Sequence, residues 1–132
     1  MIADLYRRWL LELWNGDLQL AHELVTPDFV GHWPGMDVSG PDGLVEALRQ
    51  GHAPFAEVEV TLDVGPIVDG DLVSARWTFA GTYRGGLPGV TAAEGTRIAF
   101  SGHDILRAKD GRFTEYWVIS DAQSLNRQLG IG

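Results

Sequence analysis

The sequence predicts an α+β fold in which three N-terminal helices cover a curved antiparallel β-sheet. Two observations support this prediction. Apolar residues recur at helical spacing in the first third of the 132-residue chain, and they alternate with polar residues from Glu57 onward. Helices that precede the strands, without βαβ alternation, are typical of segregated α+β domains. We therefore expect residues 1–132 to form one domain.

Three amphipathic helices are predicted in the first 52 residues. The first ends at Asn15-Gly16, since glycine often terminates helices, and the second runs from residue 18 up to Thr26-Pro27. The third begins at Pro41, which suits the first turn of a helix, and ends near Gly51. A short extended piece, Phe29–His32, and a loop rich in Gly and Pro separate the second helix from the third.

Four strands are predicted after the helices, since apolar and polar residues alternate there with a period of two. Two Asp-Gly dipeptides, Asp69-Gly70 and Asp110-Gly111, favour tight hairpin turns between these strands. The strands should therefore form an antiparallel sheet, one face of which the helices cover. The predicted strands are Glu57–Val64, Leu72–Tyr83, Arg97–Arg107 and Phe113–Ser120.

Composition makes several kinds of partner unfavourable. Eighteen acidic and ten basic residues give a net charge of -8, which repels phosphate backbones and anionic headgroups. We therefore expect neither a nucleic acid nor a membrane as partner. The N-terminal residues lack the pattern of a secretory signal, and no apolar run reaches the ~20 residues of a membrane span. These features, and the absence of cysteine, favour a cytoplasmic location.

The residue types also limit the chemistry. The only lysine, Lys109, lies beside a predicted turn where solvent would keep it protonated, which disfavours a Schiff-base mechanism. The four histidines show no metal-binding spacing, and there is no thiolate ligand. Acid/base chemistry by carboxylates or histidines, without metal or cofactor, is what the composition favours.

Several motifs resemble those of SnoaL-like polyketide cyclases. The closing segment Phe100–Arg107, followed by Asp110-Gly111-Arg112 and Glu115-Tyr116-Trp117, is similar to the end of those proteins. Upstream, Arg76-Trp77-Thr78 and Phe29–His32 are similar to the same family. The resemblance spans nearly the whole chain. It implies the NTF2-like fold, a cone-shaped α+β barrel related to ketosteroid isomerase, with a small apolar pocket at its closed end.

The resemblance also implies an activity. The implied reaction of this chain is an aldol-type ring closure on an anthraquinone-like polyketide ester, without metal, cofactor or covalent intermediate. The same fold hosts isomerases, dehydratases and non-enzymes, so the fold alone does not decide the reaction. Two alternatives stay open: a related pocket enzyme that acts as an isomerase, hydratase or hydroxylase, and a non-catalytic domain that binds a small apolar metabolite.

The hairpin at Asp110-Gly111 determines which side chains face the pocket. A two-residue turn would pair Asp104 with Trp117, whereas a three-residue loop with a bulge would pair Asp104 with Tyr116. In the second case Asp104 and Tyr116 share one face, and His103 and Trp117 share the other. We favour Asp104 as the pocket acid, since its surroundings resemble those of an acid in ketosteroid isomerases. The alternative is a strand aspartate bonded to a neighbouring histidine or hydroxyl.

Two further catalytic candidates follow from the resemblance. Many cyclases of this family carry an acid directly after the tryptophan of their Glu-x-Trp motif, and Val118 takes that place here. Asp104 or Asp121 would then have to supply the acid/base, although Asp121 equally fits an N-cap of a helix at Ala122–Leu129. His32 matches a histidine that faces the cavity in relatives, where it would bind a substrate carbonyl or orient Asp104.

Aromatic residues are expected to bind the ligand, because flat rings stack on polycyclic molecules. The predicted substrate-binding residues are Trp14, Trp33, His52, Trp77, His103, Tyr116, Trp117 and Val118. Apolar residues occupy both faces of the last two strands, and only one face can line a pocket. We therefore predict a homodimer or a dimer-based tetramer that buries the other face.

Overall fold

Six strands of the chain form one curved, open sheet in the computed structural model, which describes residues 1–131. Numbered in chain order, they are β1 (Val25–Trp33), β2 (Met36–Ser39), β3 (Phe55–Asp69), β4 (Leu72–Tyr83), β5 (Arg97–Lys109) and β6 (Arg112–Ser120). Their order in the sheet is β2-β1-β6-β5-β4-β3, so β2 and β3 are edge strands.

Four α-helices accompany the sheet: α1 (Ile2–Arg8), α2 (Ala21–Leu24), α3 (Gly40–His52) and α4 (Ala122–Leu129). A π-helical segment, Trp9–Leu13, continues α1, and a 3₁₀ turn, Leu18–Leu20, precedes α2. The predicted mixed α+β architecture is confirmed. None of the described helices combines the length and apolar character that a bilayer crossing requires.

Neighbouring strands are antiparallel except β1 and β6, which pair in parallel. The sequence predicts only antiparallel pairing, because the prediction rests on the hairpin turns that join β3 to β4 and β5 to β6. β1 and β6 have no such turn between them, since α3 and four strands separate them in the chain. A connection of that length permits a parallel pair.

The second predicted helix is shorter than expected. The α-helix ends at Leu24, and Val25 already pairs with Phe113 of β6. A β-branched residue followed by Thr26-Pro27 favours extended backbone over helix, and strand pairing stabilises it. The predicted Phe29–His32 piece is therefore part of a nine-residue strand. Part of the predicted loop forms β2. The Leu72–Tyr83 strand has the predicted bounds.

The helices cover the inner, concave face of the sheet, and the core lies between them. The largest side chains without solvent exposure include Tyr6, Trp9, Phe29, Phe113 and Tyr116. An aromatic cluster of this size stabilises the fold mainly through burial, at roughly 25 cal/mol per Å² of apolar surface. It also surrounds the one charged side chain that residues 1–131 bury, Asp104.

Candidate active site

The β5–β6 hairpin places Asp104 on the inner face. Asp110 and Gly111 have φ angles of 52° and 82°, which suits a two-residue turn of the type that fits strand twist. One extra residue in β6, Thr114, then shifts the pairing, so that Asp104 lies opposite Val118. Both predicted partners of Asp104, Trp117 and Tyr116, are therefore wrong. The turn is short, and the bulge lies in the strand rather than at Gly111.

The predicted division of faces nevertheless holds, because the actual register differs from the three-residue-loop register by two residues. Side chains alternate with a period of two, so a shift of two leaves every side chain on its face. Asp104 and Tyr116 are fully buried, whereas Ile105 and Ile119 are 45% and 66% exposed. Asp104 therefore points into the core.

Three buried donors hold the Asp104 carboxylate. Tyr6 Oη donates to Oδ2 at 2.9 Å, while Trp77 Nε1 and Tyr116 Oη donate to Oδ1 at 2.9 and 2.8 Å. The three donors come from α1, β4 and β6, so the carboxylate links the helical cover to the sheet. Burying a charge is costly unless it is hydrogen-bonded, and this arrangement supplies those bonds.

The environment raises the pKa of Asp104 to about 6, because burial disfavours the charged form. The hydrogen bonds from Trp77, Tyr116 and Tyr6 oppose this rise. Burial, followed by the negative charge of Asp104, raises the pKa of Tyr6 and of Tyr116, so both stay protonated donors. A carboxyl group with a pKa of about 6 can both take and give a proton near neutral pH.

Two buried indole N–H groups have no hydrogen-bond partner within residues 1–131: those of Trp9 and Trp14. The Trp9 group lies near enough to Asp104 to lower the pKa of that carboxyl, but it forms no hydrogen bond of ordinary geometry. Buried N–H groups are usually paired, so each can donate to an oxygen of a ligand that enters this region.

Tryptophan rings fill the space around the carboxylate. The Trp77 ring lies against Gly102 and the Trp33 ring against Gly31, where a Cβ atom would collide with each ring. The two glycines thus allow both indoles to lie close to the sheet. Trp33 also makes an edge contact with Tyr116, with ring centroids 5.1 Å apart.

The same aromatic cluster continues toward α3. The Trp14 ring stacks on Trp77 at 6.5 Å, and Trp77 makes an edge contact with Phe100 at 5.9 Å. The His52 ring lies 6.2 Å from Trp14 and 5.4 Å from Phe79. Its two nitrogens contact the carbonyl oxygens of Leu48 and Trp14, both at 2.8 Å.

Six of the residues predicted to bind substrate belong to this inner region: Trp14, Trp33, His52, Trp77, Tyr116 and Val118.

Asp104 lines none of four surface clefts, whose volumes are about 210 to 620 Å³. Its exposed fraction is zero. A ligand therefore reaches the carboxylate only if the residues packed around Asp104 move. The described residues also contain no group of three His, Asp or Glu side chains placed to hold a metal ion.

His32 lies on the outer face, and the expectation that it orients Asp104 is wrong. Its Nδ1 is 3.0 Å from Asp37 and its Nε2 is 2.7 Å from Glu115, while its ring stacks on Trp117 at 5.7 Å. Hydrogen bonds to Glu115 and then to Asp37 raise the pKa of His32. Alternation explains the placement: Phe29 and Gly31 of β1 are buried, so His32 must face outward.

The remaining candidates also lie outside the aromatic cluster. Asp121 is exposed, and its side chain accepts from Ser124 N at 2.9 Å as the N-cap of α4, the alternative that the sequence offered. His103 lies on the outer face beside Arg76, with 3.3 Å between their nitrogens. Trp117 is on that face too, with the Arg107 guanidinium 5.9 Å from its ring.

Tyr6 is a partner of the acid that the sequence did not predict. The residue was assigned only to the apolar stripe of the first helix. A signal was present, since a tyrosine on a core-facing stripe needs a partner for its hydroxyl once it is buried. The partner could not be identified, because 98 residues separate Tyr6 from Asp104 in the chain.

The comparison with protein families decides the relationship that the motifs suggested. The family model described as SnoaL-like polyketide cyclase matches residues 4–129. The chain belongs to this family. A comparison with curated protein sequences gives no match.

Solved structures of similar proteins agree in fold. TsrD from Streptomyces laurentii is 29% identical with a TM-score of 0.83, and the match covers 99% of this chain and 96% of that one. IdmH from Streptomyces antibioticus, a candidate polyketide cyclase, is 28% identical with a TM-score of 0.82 and 97% coverage of both chains. A protein of ketosteroid isomerase-like fold from Catenulispora acidiphila, 19% identical, has a TM-score of 0.77, with 98% and 94% coverage. The NTF2-like fold expected from the sequence is confirmed.

Proposed function

We propose that this member of the SnoaL-like family closes a ring of an aromatic polyketide ester by an aldol reaction, with Asp104 as acid and base and without a cofactor. One observation carries the proposal: a fully buried carboxyl group with a pKa of about 6, held by three donors inside an aromatic wall. Perturbed carboxyl groups of this kind are typical of acid/base sites.

The proposed reaction needs one proton to leave and return. The Asp104 carboxylate takes a proton from the carbon next to a carbonyl, and the resulting enolate carbon forms a bond to a second carbonyl carbon. The oxygen of that second carbonyl becomes an alkoxide, which receives the proton back from Asp104. No oxidant, reductant or leaving group is involved.

The surrounding donors suit the two charged oxygens in this scheme. The free N–H groups of Trp9 and Trp14 can donate to an enolate or alkoxide oxygen. Donors fixed in a water-poor site stabilise developing charge more than water does, because they need no reorganisation. The stacked rings of Trp14 and Trp77 offer a flat apolar surface for the aromatic part of the substrate.

A binding domain for a small apolar metabolite is the second candidate. Its supporting observation is that Asp104 already accepts three hydrogen bonds and has no exposed atom. In that role the carboxylate would only hold α1 against the sheet. The ligand would then contact the aromatic wall alone.

Asp104→Asn separates the two candidates. Assayed with an anthraquinone β-keto ester, the variant should lose ~10²–10⁴-fold in ring-closure rate, because an amide cannot shuttle a proton. Ligand affinity, measured by tryptophan fluorescence, should change by less than threefold. Asp121→Asn and His32→Gln serve as controls and should keep the rate. If the wild-type protein binds the ester but never closes its ring at pH 5 to 8, the binding domain is the correct function.

A second copy of the chain is the proposed partner. Ile105 and Trp117 pair across β5 and β6 on the outer face, and Ile119 is 66% exposed beside them. A contiguous apolar surface of this kind is typical of an interface between subunits. Light scattering should give at least twice the 14.4 kDa of one chain, and Ile119→Glu should lower the mass. A wild-type mass of 14.4 kDa at micromolar concentration would exclude the dimer.

A further inference from the structure

A cleft of about 390 Å³, which Asp104 does not line, lies where the ends of several elements meet. It lies between residues 15–18, the C-terminal end of α3 and the beginning of β3. Its walls combine apolar and cationic side chains: Leu18, Leu48, Phe55, Val58, Arg49 and Arg84. Such a combination suits a ligand with an apolar body and one charged end.

The two arginines of this cleft have free donors. Arg84 Nε donates to the carbonyl oxygen of Phe55 at 3.0 Å, which fixes the guanidinium and leaves its terminal nitrogens available. Neither Arg84 nor Arg49 has a carboxylate within 4.0 Å among residues 1–131. The cleft therefore presents two guanidinium groups that no carboxylate of the described residues contacts.

The one acid that lines the cleft is directed elsewhere. Glu57 accepts a hydrogen bond from Thr82 Oγ1 at 3.2 Å, on the outer face of the sheet. Its backbone has a φ of 54°, at a bulge between Ala56 and Glu59. A non-glycine residue in this conformation costs of order 1 kcal/mol, and such strain often occurs beside binding sites.

The walls of the cleft are held in place by polar contacts. The Asn15 side chain bonds both backbone groups of Val60, at 2.8 and 3.1 Å, and so ties the end of the first helical segment to β3. His52 contacts the backbones of α3 and Trp14 on the opposite side. A pre-formed site loses little entropy on binding, which favours a specific small ligand.

We propose that this cleft binds a small amphipathic carboxylate. The carboxylate contacts Arg49 and Arg84, and the apolar chain packs against Leu18, Phe55 and Val58. Guanidinium groups bind planar carboxylates through paired, charge-assisted hydrogen bonds. The net charge of -8 disfavours ligands with several negative charges, so a singly charged one fits best. Asp104 does not line this cleft, and the proposal does not depend on the proposed ring closure.

Octanoate and octanamide form a matched pair of probes, because they differ mainly in charge. Titrated into the ¹⁵N-labelled full-length protein, octanoate should shift amide signals of residues that line the cleft, such as Arg49, Phe55 and Arg84. Arg49→Gln and Arg84→Gln should each weaken octanoate binding roughly five- to tenfold, because each removes charge-assisted hydrogen bonds at a partly solvated site. Octanamide should bind more weakly and respond to neither change.

Arg112→Gln is the control, since it removes the same charge at the β5–β6 turn, far from the cleft in the fold; it should change octanoate binding less than twofold. Asp104→Asn should also leave octanoate binding unchanged, which keeps this test independent of the proposed catalysis. Equal affinity for octanoate and octanamide, equal effects of Arg112→Gln and Arg49→Gln, or shifts centred on Trp33 and Val118 would each overturn the proposal.

Discussion

Each face of the sheet holds a titratable group with strong hydrogen bonds, Asp104 of β5 on the inner face and His32 of β1 on the outer face, and the two groups respond to opposite forces. On the inner face, the pKa of Asp104 is raised because burial disfavours its charged form. On the outer face, the pKa of His32 is raised because Glu115 and Asp37 stabilise its charged form. A raised pKa therefore identifies a candidate acid/base only together with its cause. Desolvation makes the inner face the candidate site.

The largest contrast between the faces should be in stability. Asp104→Ala leaves two tyrosine hydroxyls and an indole N–H buried without their acceptor, so it should lower the free energy of unfolding by about 4 kcal/mol. Glu115→Ala removes only a half-exposed pair and should cost under about 1 kcal/mol. Urea denaturation at pH 5 measures both. Similar losses for the two variants would contradict the difference between the faces.

The pH dependence of stability should show the next largest effect. Between about pH 4 and 6, folded Asp104 keeps a proton that the unfolded chain releases, so the free energy of unfolding falls as the pH rises. Two pKa units correspond to about 3 kcal/mol at most. The Asp104→Asn variant has no carboxyl group at this position, so its free energy of unfolding should lack this part of the decrease with pH. Parallel pH profiles for the two proteins would show that the carboxyl group is not perturbed.

The smallest expected effect concerns the outer face. Glu115→Gln should lower the pKa of His32 toward its ordinary value, and Asp37→Asn should lower it less, because the bond to Glu115 is the stronger influence. Imidazole proton signals followed by NMR against pH give both values. The stability that His32 contributes is present below pH 6.5 and is lost as the pH rises through its raised folded pKa. An unchanged pKa of His32 in Glu115→Gln would show that the contact with Glu115 does not raise it.

Much of the fold could be predicted from the sequence, because periodicity and Asp-Gly turns determine β4 and the β5–β6 hairpin. The exact pairing could not, since no residue type marks the bulge at Thr114. The predicted inward direction of Asp104 is nevertheless correct, because the predicted and observed registers of β5 and β6 differ by two residues. His32 was placed wrongly because the resemblance to relatives outweighed the alternation from Phe29, which by itself directs His32 outward.

The site itself was only partly predictable. Asp104 and the tryptophans around it could be named, since the surroundings of Asp104 resemble those of an acid in ketosteroid isomerases and flat rings are expected to bind an aromatic ligand. Its contact with Tyr6 depends on how α1 crosses the sheet, which no local pattern encodes. The catalytic role of Asp104 remains a proposal that the activity of Asp104→Asn tests.

Direct titration of the Asp104 carboxyl carbon by ¹³C NMR tests the central claim most directly. The signal is assigned by its loss in Asp104→Asn and followed from pH 3 to 9. The wild-type midpoint should lie at about 6, and Trp77→Phe should raise it further, because that change removes the strongest of the bonds that favour the charged form. A wild-type midpoint at or below the ordinary 3.8 would show that Asp104 is a purely structural carboxylate and would contradict its role as acid and base.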